Sequence, residues 1–275
     1  MKNSSLTPCH AGLTDVGRNI NFSGNARKRS RIYLEVIMIG LNFIIEGIRE
    51  ALHLIITADP LVIDIALRSI FVSGLATLIA SLWSIPIGVI LGIKKFRGIG
   101  FFRNLFNSLI GIPTVVLGLI LYLLLVPEGP LGFLNLLYTP LGISLAQAIL
   151  ITPIIVSFTA SSIESVENEV RELAITLGAG QIDSTVTILK EGINGVLLSI
   201  GSGFNRAIAE LGLAMMIGGN IMVGDSALNT RVLTTSISMY TARGELNVAI
   251  ALGIILLIIV ITISVVLNLF RREKS

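Results

Sequence analysis

Uncharged aliphatic stretches recur along the chain at residues 69–93, 104–126, 141–163 and 247–270. Each meets the roughly 20 residues that an α-helix needs to cross a bilayer, so four membrane spans are expected. A fifth stretch, 193–217, is equally apolar except for Arg206 and Glu210, which lie four positions apart and share one face of a helix. It too reads as a span, with the pair turned toward protein or water because isolated charge in lipid is costly. Ahead of these, apolar residues at Leu34, Ile37, Met38, Leu41, Ile44, Ile45, Ile48, Leu52 and Ile55 oppose Glu35, Asn42, Glu46, Arg49, Glu50 and His53. This periodicity predicts an amphipathic helix over 33–57. An interfacial placement is preferred to a sixth span, which would have to hide the whole polar stripe among its neighbours.

Composition sharpens the picture from spans to a bundle. Hydrophobic residues make up 53% of the 275 and charged ones only 13%, about half the usual share for a soluble domain. The 27 glycines and the low aromatic content, 6%, suit closely packed transmembrane helices. The expected fold is therefore an all-α integral membrane protein with five core spans and the N-terminal amphipathic helix. Domain limits are expected at 1–32 for a disordered basic extension, 33–57 for that helix, 58–270 for the membrane domain and 271–275 for a tail. The net charge of +3 comes from basic residues beside the apolar segments, which excludes a nucleic-acid patch. Four Lys/Arg stand in 94–103, two in 164–190 and three after Phe270, against none in 127–140 and two in 220–246. By the positive-inside rule, 164–190 and the C-terminus are cytoplasmic in a multi-pass plasma-membrane protein. The cluster Arg27, Lys28, Arg29, Arg31 conflicts with a helix lying flat on the outer face; a sixth span, or a start at Met38, would remove the conflict. The single Cys9 and the pair His10 and His53 offer neither a disulfide nor metal-ligand spacing.

The connection 164–190 is the most informative segment. Val166, Val170, Leu173, Ala174 and Leu177 repeat at helical spacing, Glu164, Glu167, Glu169, Arg171 and Glu172 form the charged face, and Gly178 and Gly180 permit a sharp bend. The pattern is helix, turn, helix, and by itself it fits a solvated linker as well as a docking element.

The run RELAITLGAG at 171–180 resembles the cytoplasmic E-A-A-x-x-x-G motif of ABC importer permeases, with Glu172, Leu173, Ala174 and Gly178 at the motif positions. Leu173 departs from the alanine at the motif's second position, and Lys190 and Glu191 replace the Leu-Pro that ends the extended motif. IPTVVLG at 112–118, FNRAIAELG at 204–212, IGGNI at 217–221 and TRVLTTSI at 230–237 are similar to segments of molybdate, tungstate and sulfate permeases, the tungstate branch above all. The resemblance covers 58–270. It implies a type I ABC importer permease working as a homodimer with two ATP-binding cassette subunits and an extracytoplasmic substrate-binding protein. It further implies that Glu172, Leu173, Ala174 and Gly178 contact the ATPase. The cargo implied by this resemblance is an oxyanion, tungstate first, with molybdate and sulfate as alternatives.

Within the membrane, Arg206, Glu210 and Gly212 are candidates for a gate or, equally, for a structural pair locking two helices. Pro86, Pro113 and Pro153 each remove a helical hydrogen bond, and around Pro113 the residues Thr114 and Gly118 are placed to line an opening. Outside, Arg231 with Thr230, Thr234 and Thr235 is the candidate for guiding an anion. The sequence holds no G-x-x-x-x-G-K-[ST] loop, and its only Lys followed by Ser or Thr is Lys274. ATP and Mg are therefore expected on a partner, with no cofactor in this chain. A secondary transporter remains the rival class; it would show internal repeats or membrane carboxylates beyond Glu210.

Overall fold

The computed structural model describes residues 26–57, 59–93, 97–176, 181–222 and 229–272. Among them it is helical without strands: α1 (Ala26–Ile56), α2 (Pro60–Ile93), α3 (Ile99–Leu109), α4 (Thr114–Leu125), a 3₁₀ turn (Gly132–Leu134), α5 (Pro140–Thr176), α6 (Gln181–Ile208), α7 (Gly212–Gly218), α8 (Leu233–Ala242) and α9 (Leu246–Arg272). The chain divides into two units at Ile45 and Glu46.

In the first unit, α1 begins at Ala26, so residues 26–32 of the stretch expected to be disordered are helical. Ala, Arg and Lys are good helix formers, which accounts for the earlier start. From Tyr33 to Ile45 every residue is exposed, and apolar Val36, Ile39 and Phe43 lie off the expected stripe.

In the second unit, α2 and α5 start alike. Asp59 accepts hydrogen bonds from Leu61 and Val62 N–H at 3.0 and 3.1 Å, and Thr139 Oγ1 accepts from Gly142 N–H at 3.0 Å. Pro60 and Pro140 follow as first helical residues, where a missing N–H is harmless. Helices α2, α5 (to Val166) and α9 (to Val266) are each long and apolar enough to cross a membrane. The expected span 104–126 is not one straight helix: α3 and α4 meet at 97° across residues 110–113. Pro113 lacks an N–H and disfavours helical geometry at Ile112, so the chain turns there. The expected span 193–217 is also interrupted, by residues 209–211 between α6 and α7. Pro86 and Pro153, in contrast, sit inside unbroken helices.

The centre is α5, of whose crossing segment 72% is buried, against 39% for α2 and 22% for α9. Small residues let its neighbours come close. Gly88 and Gly92 of α2 face Thr159 and Ile163, whereas Gly192 and Gly203 of α6 face Ile163 and Ile155. These pairings make α2 parallel and α6 antiparallel to α5, which requires α3 and α4 to return the chain between α2 and α5. Polar links reinforce the stack: Thr159 Oγ1 and Ser199 Oγ lie 2.8 Å apart, and Ser144 Oγ donates to Val72 O at 3.1 Å. Arg103 of α3 ties two helices, donating to Leu91 O at 3.1 and 2.5 Å and pairing with Glu164 at 2.5 Å. Leu67, Phe71, Leu78 and Leu82 form an exposed apolar stripe on α2, at 62–76% exposure, a surface suited to lipid.

Gly88→Ala places a Cβ 2.7 Å from Thr159 Cβ and 2.9 Å from Val156 O. It is expected to cost about 1–3 kcal/mol of stability. Gly74→Ala meets nothing within 4 Å, and is expected to be neutral or to stabilise by up to about 1 kcal/mol. Unfolding of the two variants in detergent checks the contrast.

Candidate functional site

The interruption between α6 and α7 gathers most of the candidate membrane residues. Glu210 N–H bonds to Ala207 O at 3.1 Å, tightening the last turn of α6 before the chain leaves the helix. Glu210 is 4% exposed, and its Oε2 pairs with Arg206 Nη1 at 2.5 Å. Its Oε1 accepts from Leu213 N–H at 3.2 Å, and its carbonyl accepts from Thr234 Oγ1 at 2.9 Å. From α5, Gln147 Nε2 donates to Ala207 O at 3.1 Å. The carboxylate and the freed backbone groups are therefore satisfied by four helices, as an apolar surrounding demands.

Gly212 brings the second interruption against the first. A Cβ at this position would meet Val115 Cγ2 at 3.2 Å, Thr114 Oγ1 at 3.4 Å and Glu210 Oε1 at 3.5 Å. The start of α4, just after the bend at Pro113, thus abuts the start of α7. Thr114, Arg206, Glu210, Gly212 and Thr234 come together here. Gly118 lies one turn further along α4, against Met216 and Leu213 of α7.

Thr234 and Thr235 do not form an open mouth with Arg231. Thr234 is 8% exposed and committed to Glu210 O. Thr235 is fully buried, accepting from Val232 N–H at 3.0 Å and donating to Val232 O at 2.9 Å, which caps α8. Thr230 is buried as well, its Oγ1 donating to Gly218 O at 2.5 Å and accepting from Ile221 N–H at 2.8 Å. Their hydroxyls are taken because residues 230–236 pack inward as α8 begins. Arg231 is half-buried, with Nη1 donating to Met222 Sδ at 3.0 Å and a buried Nε that donates to nothing. A second guanidinium stands close by: Arg68 donates to Arg231 O at 3.4 Å and pairs with Asp64 at 2.6 Å. At the end of α7, the Tyr138 ring covers Gly219. The Tyr138 phenol is raised above its usual value by hydrogen bonding to Tyr122, by the charge of that neighbour and by burial.

Glu172, Leu173 and Ala174 lie in the last turns of α5, which runs on to Thr176; Gly178 lies outside the described residues. The described parts of the connection 164–190 are the end of one long helix, up to Thr176, and the beginning of another, from Gln181. Gln147 escaped the sequence reading. Its signal was a lone amide within an otherwise apolar stretch, where a buried polar group requires a partner.

A lipid-facing helical bundle whose only buried carboxylate among the described residues sits at a helix interruption has the character of a transport component. The chain belongs to the family of binding-protein-dependent transport system inner membrane components, whose model matches residues 84–273. It is 39% identical over 233 residues to the tungstate uptake system permease protein TupB of Peptoclostridium acidaminophilum, covering 85% of this chain and 100% of the relative. A probable anion ABC transporter permease protein of Haloferax volcanii is 34% identical over 209 residues, 76% of this chain and 90% of that one. The TupB of Campylobacter jejuni is 31% identical over 232 residues, 84% and 95% of the two chains.

Arg206→Gln strands the Glu210 carboxylate in the core and is expected to cost roughly 2–4 kcal/mol, below the fully buried case because Arg206 keeps 35% exposure. The double variant Arg206→Gln/Glu210→Gln is expected to recover most of that loss. Thermal unfolding of the variants in one detergent checks the order.

Proposed function

We propose that this chain is the membrane-spanning permease of an ATP-driven importer for an oxyanion, with tungstate as the cargo. The observation that carries the reading is the match to TupB over that relative's whole length. The meeting of two interrupted helices at Thr114 and Gly212 supports it, since broken helices mark cargo sites in transporters. Molybdate or sulfate is the second reading, left open because the Haloferax volcanii relative is named for an anion without specifying it.

In this reading there are five core spans: α2, the bent pair α3 and α4, α5, the interrupted pair α6 and α7, and α9. The amphipathic helix α1 precedes them, and the C-terminus is cytoplasmic in the cell membrane. Two copies of the chain assemble with two ATP-binding cassette subunits and an extracytoplasmic binding protein. ATP and Mg are held by the cassette subunits, and this chain performs no bond chemistry. Glu172, Leu173, Ala174 and Gly178 receive the cassette's movement at the cytoplasmic end of α5. Arg206, Glu210 and Gly212 form the gate. Thr114 lies on the path, and Arg231, at the outer end, draws in the dianion. Thr234 and Thr235 reach the cargo only if α8 unpacks, because their hydroxyls are committed to backbone in this conformation.

Co-expression with the cassette subunit and binding protein, followed by reconstitution in vesicles, tests the reading. ATP-dependent tungstate accumulation is expected, and Glu172→Lys is expected to reduce both cassette co-purification and uptake by about tenfold or more, the scale of one lost charged interface contact. A chain that neither binds a cassette nor moves any oxyanion with ATP would sink it.

A further inference from the structure

Gln147 is 1% exposed and stands in the most buried helix of the bundle. Its two amide atoms are treated differently. The Nε2 donates to Ala207 O, in the last turn of α6, at 3.1 Å, whereas the Oε1 is buried and accepts nothing. Ala207 O also receives the Glu210 N–H at 3.1 Å, so Gln147 grips the carbonyl that forms the tight turn into the gate. The reach is short because Ala76, Ala80, Ala148 and Ala207 pack there as one buried cluster with Ile151 and Ile155. From Gln147 the helix continues without interruption to Thr176. That is about 44 Å of continuous helix at 1.5 Å per residue, ending in the segment that carries Glu172.

We propose that Gln147 is the positioning residue that links the movement of α5 to the interruption between α6 and α7. This inference rests on the permease reading above. With α5 placed as it is here, the amide N–H pins Ala207 O and the tight turn is held. A shift of α5 pulls the amide from that carbonyl, and the unsatisfied Oε1 gains a donor from the rearranged turn. One side chain thus has a different hydrogen-bond arrangement in each of two states, which is what a two-state coupling element requires. Ser144, one turn earlier, is a different case: its hydroxyl is shared between Val72 O and Pro140 O, so its hydrogen bonds fix α5 to α2 and not to the interruption.

The test uses the complete complex in lipid vesicles with tungstate as the probe. Gln147→Met keeps the side-chain length and removes both polar atoms. It is expected to hold basal ATP hydrolysis within about twofold of the unaltered complex while tungstate moved per ATP falls about tenfold, the scale of an allosteric coupling. Ser144→Ala is expected to leave that ratio unchanged. An unchanged ratio in Gln147→Met, or an equal fall in Ser144→Ala, overturns the assignment. If Gln147→Met does not assemble, hydrogen exchange in the unaltered complex decides. Protection of the Glu210 amide is expected to differ between the nucleotide-free and vanadate-trapped states, and equal protection overturns the proposal. An unaltered complex that moves no oxyanion at all defeats the permease reading itself, a result distinct from a Gln147 variant that transports normally.

Discussion

Backbone groups that leave a helix inside an apolar surrounding must find partners within the protein, and the turn between α6 and α7 is where this constraint bears hardest. The freed carbonyls of Ala207 and Glu210 take hydrogen bonds from Gln147 of α5 and Thr234 of α8, and the Glu210 carboxylate is held by Arg206 and the Leu213 amide. Each partner fixes the position of another element. Gln147 sets how deeply α5 sits, Thr234 draws in the start of α8, and the bare Gly212 lets α4 begin against α7. Removing the interruption would leave four helices without their common reference point.

The same arrangement gives the bundle both a rigid part and a movable one. Glycine and alanine contacts hold α2, α5 and α6 at backbone distance, with Gly88 and Gly92 on one side of α5 and Gly192 and Gly203 on the other. Close-packed interfaces of this kind transmit displacement without absorbing it. The interrupted segments differ, because their order depends on a few hydrogen bonds that can be exchanged. In the proposed importer, displacement received at the C-terminal end of α5 has a defined place to act, on the turn that contains Glu210.

Much of this was legible in the sequence and some was not, for identifiable reasons. Apolar length gave α2, α5 and α9 directly. The three membrane prolines look equivalent in the chain, yet only Pro113 ends a helix. Pro153 is buried in α5 and Pro86 is exposed in α2, both within unbroken helices. The pairing of Arg206 with Glu210 follows from spacing alone, whereas the approach of Thr114 to Gly212 joins residues nearly a hundred positions apart. Thr234 and Thr235 read as available hydroxyls because their commitment to Glu210 O and Val232 O depends on how α8 is seated.

In the proposed importer the two interrupted helices enclose the path of the anion. A single cysteine at position 114 in a Cys9→Ser background, probed with a membrane-impermeant thiol reagent in the lipid-embedded complex, tests it most directly. Position 114 is expected to label about tenfold faster in one of the nucleotide-free and vanadate-trapped states than in the other, as a gated path requires. A thiol that stays unreactive in both states, or reacts equally in both, would contradict the account.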